Sequence, residues 1–210
     1  MKFGVCGGFE IARPAAEAGY DYFEMTVGNL LKPLEDETAF AASLARLRQE
    51  PLPCSALNVF IPAELKITGP QVDPQALQRY VTTACRRAET AGVSTIVFGS
   101  GAARRIPQDF PRESAWQQLV DFCSMIGPVA AAHGVTIAIE PLNQAECNVI
   151  NTVGEGAALA RQVNHPAMRL LVDAYHWEKD QDSIQDLVDS GPLLAHAHIA
   201  DEDFSGTVRK

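Results

Sequence analysis

Short apolar runs rich in Val, Ile, Leu and Phe alternate along the chain with longer stretches in which apolar residues recur at helical spacing. The runs "FGVCG" (3–7), "YFEMTV" (22–27), "CSALNVF" (54–60), "STIVFGS" (94–100), "TIAIE" (136–140), "RLLVDAY" (169–175) and "LAHAHIA" (194–200) predict seven strands. Between them, 36–50, 73–92, 113–134, 151–164 and 182–191 predict helices. Asp or Asn opens several of these at an N-cap position, and Ala-Gly or His-Gly closes two. A strand and a helix recurring every ~25 to 40 residues is the pattern of βαβ units around a parallel sheet.

Two α/β architectures share that pattern. A dinucleotide-binding sheet places GxGxxG between its first strand and helix; here only Gly7 and Gly8 follow the first strand, and Gly99 and Gly101 after the fourth lack a third glycine. A (β/α)8 barrel instead gathers polar residues at the C-terminal ends of its strands, which is where the acids and histidines of this chain lie. The expected fold is therefore α/β, of the (β/α)8 TIM-barrel type. It comprises about seven βα units in a single domain over 1–210, with no eighth strand or helix in the sequence.

Composition narrows the ligand. The 210 residues are 47% hydrophobic and carry a formal net charge of -9, which opposes a sequence-independent hold on a phosphate backbone and excludes nucleic acid as the expected partner. A small polar molecule fits better. The apolar run at the N-terminus is too short for a signal peptide, and nowhere do eighteen apolar residues run together, so a cytoplasmic protein without membrane association is expected. Five scattered cysteines with no CxxC pair give neither a disulfide framework nor a zinc knuckle. No GxSxG elbow, Walker loop or HExxH supports a serine hydrolase, a nucleotide hydrolase or a zincin.

Three consecutive strand ends carry potential metal ligands: Glu140 in "TIAIEPLN", Asp173 in "RLLVDAYH" and His198 in "LAHAHIAD". They are 33 and 25 residues apart, one barrel repeat each, so adjacent strands would bring all three to one mouth. A lone acid at the end of an apolar run is ordinarily a helix cap or a loop residue; three at matching register point to a site. Two carboxylates and an imidazole suit Mn²⁺, with Mg²⁺, Co²⁺ and Zn²⁺ also compatible with such mixed ligation.

The segments "IAIEPLNQAECNVINT", "LLVDAYHWEKD" and "AHAHIADED" resemble the sugar isomerase/epimerase group of the xylose isomerase-like barrels, especially the ketose 3-epimerases. The resemblance runs from "MKFGVCGG" to the C-terminus; EPLN with DxxH and HxHxxD is characteristic of the superfamily rather than of one substrate. It implies that Glu140, Asp173 and His198 bind one divalent metal and that Glu140 also moves protons. It further implies that Glu146 and His176 contact hydroxyl or carbonyl oxygens of a sugar or sugar phosphate. His196, in phase with His198, is expected to support or pack beside the site. The implied chemistry is proton abstraction next to a carbonyl through an enediolate. Return to the neighbouring carbon gives isomerisation, and return from the opposite face gives epimerisation.

One departure from the family matters. Its fourth ligand and second acid/base is a glutamate on an eighth strand, preceded by a substrate-binding arginine in the loop after the seventh; this sequence ends "HIADEDFSGTVRK" in that loop, and Arg209 is no confident substitute. The expectation is a portion of a longer protein lacking roughly 50 to 70 residues. If 210 residues is the natural length, weak metal binding and doubtful epimerase activity are expected. Inosose-type dehydration on the same fold, and a sugar- or partner-binding barrel without turnover, are the alternatives. An apurinic-site endonuclease would need histidines at the third and fourth strand ends, which read "LNVF" and "VFGS". Family members often form dimers or tetramers, which makes a homo-oligomer compatible. Arg104 and Arg105 are placed either to meet a substrate phosphate or to lie in a solvated loop. Cys6, Asn58, Phe60 and Trp177 are candidates for an apolar wall, and the Pro-containing loop 61–74 is long enough for a lid.

Overall fold

The computed structural model describes residues 1–200. Its elements follow in the order β1 (Gly4–Cys6), α1 (Phe9–Glu17), β2 (Tyr22–Thr26), α2 (Val27–Leu30), α3 (Glu37–Leu47) and β3 (Cys54–Asn58). Next come α4 (Pro74–Ala91), β4 (Thr95–Phe98), α5 (Gly101–Arg104), α6 (Arg112–Ala132) and β5 (Thr136–Ile139). The chain continues with α7 (Val153–Val163), β6 (Met168–Asp173), α8 (Ala174–Lys179), α9 (Ile184–Asp189) and β7 (Leu194–His198). The seven strands are all parallel and lie in the sheet in sequence order, β1 to β7. All seven expected strands are present.

The sheet curls. His196 and His198 on β7 each reach Glu24 on β2 at 3.0 Å, a contact that a flat sheet with four strands in between would not permit. The result is a half-closed barrel of seven strands, an incomplete (β/α)8 architecture. Because strand side chains alternate, each strand feeds two cores. Outward residues such as Phe23, Met25, Leu57, Ile96, Phe98, Ile137 and Ile139 pack on the helices. Inward, Val97, Ala138 and Leu171 form a small separate cluster. Two residues further along, on the same face, come Gly99, Glu140 and Asp173: the inner layer of aliphatic side chains is the floor beneath them.

Local sequence fixes the helices. Asp73 accepts from the backbone N–H groups of Gln75 and Ala76, with Pro74 at the first helical position of α4. Gly92 closes α4 at φ 76°, a left-handed value that costs a glycine little. Asp36 and Thr152 cap α3 and α7 through Ala39 and Glu155. Four helices were not expected: α1, whose sequence carries Pro14 and follows Gly7 and Gly8, and the single-turn or short α2, α5 and α8. The run expected to be a strand to Tyr175 leaves β6 at Asp173, where α8 begins.

The loop 61–74 is not a loose flap. Ile67 and Thr68 are buried; Thr68 donates to the carbonyls of Arg104 and Arg105 at 3.1 and 2.9 Å, and Gly69 exchanges hydrogen bonds with the Gln118 side chain. Such fastening corrects the lid expectation. Among the described residues no helix is long and apolar enough to cross a membrane.

Candidate metal and substrate site

The parallel ladder sets the geometry. Asp173 is the register partner of His198 across β6 and β7, and parallel partners point to the same face. Glu140 follows β5, its backbone N–H donating to the carbonyl of Phe98 at 3.2 Å. Ligand atoms of Glu140, Asp173 and His198 all lie within 4.8 Å of one another. Glu140 and Asp173 are buried at 8% and 6% exposure, which withholds water from two carboxylates that repel each other unless a cation or proton sits between them. Two hard oxygens and one nitrogen from three strands fit a divalent ion with coordination positions to spare.

Close packing places Glu140. Gly99 lies beside it, and a Cβ there would meet Oε2 of Glu140 at 2.3 Å, so the glycine leaves the carboxylate its room. Behind it, fully buried Arg104 donates to the carbonyls of Phe98 (3.0 Å), Glu140 (2.8 Å) and Ile150 (3.3 Å). Arg104 is thus a brace between the ends of β4 and β5, its guanidinium stacked over Phe98, and no phosphate can reach it. Arg105 donates to the carbonyl of Glu146 at 2.7 Å. Arg104 is therefore no loop arginine, while Arg105 is exposed in the chain that follows α5.

Asp173 has two duties. Oδ1 accepts from the backbone N–H of Tyr175 at 2.9 Å and caps α8, while Oδ2 lies 3.6 Å from Nε2 of His176. His176 is buried at 5% exposure, and its Nδ1 faces the Asn143 side-chain amide at 2.7 Å. The same amide nitrogen donates to Oε1 of Glu146 at 3.0 Å. Glu146 and His176 therefore stand together at the rim beside Asp173. Trp177 packs against Val153, Ala157 and Leu170 and lines a small cavity with Asp173 and His176, whereas Phe60 is wholly buried in the outer core. Cys6 is exposed at the end of β1.

Glu24 is the residue the sequence did not announce. At 2% exposure in β2, its Oε1 accepts from Asn58 Nδ2 and meets His198 Nε2, both at 3.0 Å, and its Oε2 meets His196 Nε2 at 3.0 Å. His198 Nδ1 faces Oε1 of Glu140 at 3.2 Å. Burial opposes charge on His198, but the hydrogen bonds to Glu140 and Glu24 outweigh it and hold its pKa up at about 10. Burial likewise pushes Glu24 up, while hydrogen bonds from His196 and His198 bring it to about 2. His196 thus supports the site from beneath. Cys6, Glu24 and His198 form a second close group sharing His198, with one carboxylate in place of two. The only signal of Glu24 in the sequence is an acid interrupting "YFEMTV" on the same phase as Tyr22 and Thr26. Asp201 of HxHxxD and Arg209 lie outside the described residues.

Known proteins resemble the chain in sequence and in fold. It is 29% identical over 200 residues to the L-ribulose 3-epimerase of Methylomonas sp. (strain DH-1), covering 89% of this chain and 64% of that protein. The chain thus spans less than two thirds of that relative's length. The structure of a D-psicose 3-epimerase with D-tagatose from Clostridium cellulolyticum H10 superposes with TM-score 0.81 at 21% identity, covering 96% of this chain and 73% of that one. The IOLI protein with a binding zinc atom superposes at 0.70 with 20% identity, over 96% of this chain and 73% of that one. The model of the xylose isomerase-like TIM barrel family matches residues 12–209. With seven parallel strands curled around this cluster and a match across almost its whole length, the chain belongs to the xylose isomerase-like TIM barrel family.

Proposed function

We propose that the chain is the larger part of a divalent-metal-dependent sugar epimerase of the isomerase class, acting on a ketose or its phosphate. The observation that carries this reading is the convergence of Glu140, Asp173 and His198 within 4.8 Å on three consecutive strand ends. The similarity to ketose 3-epimerases supports a ketose as substrate, and the zinc atom of a protein sharing the fold supports a metal here. Mn²⁺ is the ion we assign.

Glu140, Asp173 and His198 would hold the ion, which when bound draws charge from a carbonyl oxygen and makes the neighbouring C–H acidic. Glu140, buried and braced through Arg104 and Gly99, takes that proton. His176 and Glu146 hold the carbonyl and hydroxyl oxygens so that the C–H faces Glu140. The buried walls limit water, which keeps the intermediate from leaking.

The test is Mn²⁺ binding by calorimetry together with solvent deuterium uptake at the carbon next to the carbonyl in a panel of ketoses. Both are expected in the protein extended through its native downstream reading frame, and Glu140→Gln in that protein is expected to lower exchange by at least about a hundredfold, the scale of a lost proton-transfer group. Absence of metal binding, or undiminished exchange in Glu140→Gln, would sink the reading.

A further inference from the structure

Asn143 has no exposed surface, and its short carboxamide meets three neighbours. Oδ1 accepts from the backbone N–H of Ala145 at 3.2 Å, which fixes the oxygen end of the amide. Nδ2 is thereby turned toward Oε1 of Glu146 at 3.0 Å and Nδ1 of His176 at 2.7 Å, one hydrogen for each. The Asn143 backbone N–H points at the same ring nitrogen from 3.3 Å. A ring nitrogen facing two N–H donors must present its lone pair, since a hydrogen there would set donor against donor. The ring hydrogen of His176 then sits on Nε2, on the edge 3.6 Å from Oδ2 of Asp173.

We infer that Asn143 is a positioning residue that fixes the tautomer of His176 and, with the same amide nitrogen, the place of Glu146. The inference rests on the proposed roles of His176 and Glu146 as substrate contacts. Its consequence is a matched pair: Nε2–H donates and the Glu146 carboxylate accepts. A carbonyl oxygen only accepts, whereas a hydroxyl can donate. The pair therefore fits a substrate whose carbonyl and hydroxyl stand on neighbouring carbons, a hydroxy-ketone. Without Asn143 the imidazole could take either tautomer, and molecules with the hydrogen on Nδ1 would offer the carbonyl a lone pair instead of a hydrogen.

Asn143→Asp tests this with almost no change of shape. A carboxylate in that place offers Nδ1 an acceptor and confronts Glu146 with a like charge, so the ring hydrogen should move to Nδ1 and Glu146 should turn away. The tautomer is read by two-bond ¹⁵N–¹H spectra of the metal-free chain labelled at histidine, with His176 assigned through His176→Gln. Wild type is expected to show hydrogen on Nε2 and a bare Nδ1, and Asn143→Asp to show hydrogen on Nδ1. In the Mn²⁺-loaded protein extended through its downstream reading frame, kcat/KM for a ketose should fall at least about tenfold, the worth of one substrate hydrogen bond, with the Mn²⁺ Kd within about twofold of wild type.

If Asn143→Asp does not fold, Asn143→Ala serves, with the same expected fall in kcat/KM and unchanged Mn²⁺ affinity. Hydrogen on Nδ1 in wild type, or kcat/KM unchanged in the variant that folds, overturns the inference. If the extended wild-type protein turns over no ketose, the proposed function fails, and the wild-type and Asn143→Asp spectra alone decide the role of Asn143.

Discussion

At the scale of single residues, Glu24 shows how much of the site depends on partners that are remote in sequence. It lies 172 and 174 residues from His196 and His198, so no window of sequence displays the three together. In the metal-free protein its lowered pKa means that its ionised form stabilises the fold above about 4.5 and that this contribution fades as pH falls toward about 2. The raised pKa of His198 gives a contribution that is full below about 6.5 and fades as pH rises through about 10. Urea unfolding of wild type and Glu24→Gln in the presence of chelator should therefore differ most between pH 4.5 and 6.5, and the gap should narrow on both sides. A gap that is flat from pH 3 to 10 would mean that the bridge is not what holds β7 to β2. The candidate ligands were legible for the opposite reason: Glu140, Asp173 and His198 each end an apolar run, so alternation alone put them on the inward face. Asn143 lay in plain view inside EPLN, yet its duty depends on a turn that brings Glu146 and His176 to its amide. Arg104 gave no signal at all, since an arginine after a glycine-rich stretch looks like a surface loop until the three carbonyls it grips are in place.

At the scale of elements, the junction of β6 and α8 carries both structure and proposed chemistry. Asp173 ends the strand, caps the helix through the Tyr175 N–H and belongs to the candidate metal group. The bland reading of a strand-end acid as a cap and the functional one are thus both realised in one side chain. They separate by mutation. Asn caps nearly as well as Asp, so Asp173→Asn should lose Mn²⁺ binding with little loss of stability, whereas Asp173→Ala should lose the metal and a further ~1 kcal/mol from the cap. Equal unfolding midpoints for the two variants without metal would show that α8 does not depend on this cap. The same junction explains a misplaced boundary: Ala174 and Tyr175 extend the apolar run, and only the hydrogen bond at Asp173 marks where the strand stops. Strands and long helices were legible because alternation, Asp36, Asp73 and Gly92 all agree. The first helix was not, because Pro14 falls within it and its Gly8 N-cap makes no side-chain hydrogen bond.

At the scale of the molecule, burial falls away from the middle of the sheet toward its two margins. In β4 and β5 the residues Ile96, Val97, Phe98, Ile137, Ala138 and Ile139 have no exposed surface, and each strand is paired on both sides. β1 and β7 contain no buried residue, are paired on one side, and stand beside exposed Phe3 and Ile199. Backbone hydrogen bonds that open without uncovering apolar surface open cheaply, so the margins should exchange amide hydrogens long before the middle does. Hydrogen–deuterium exchange followed by mass spectrometry should show β1 and β7 exchanging at least about a hundredfold faster than β4 and β5 in the metal-free chain. Mn²⁺ should act unevenly on this gradient. Tying His198 to Glu140 and Asp173 joins β7 to β5 and β6 through the ion, so β7 should slow markedly while β1, which contributes none of the proposed ligands, should change little. Slowing confined to β7 and the loop after β5 would place the ion where the three side chains converge. Equal slowing of β1 and β7 would instead indicate that the ion draws the two margins together, by a second copy of the chain or through the Cys6, Glu24 and His198 group.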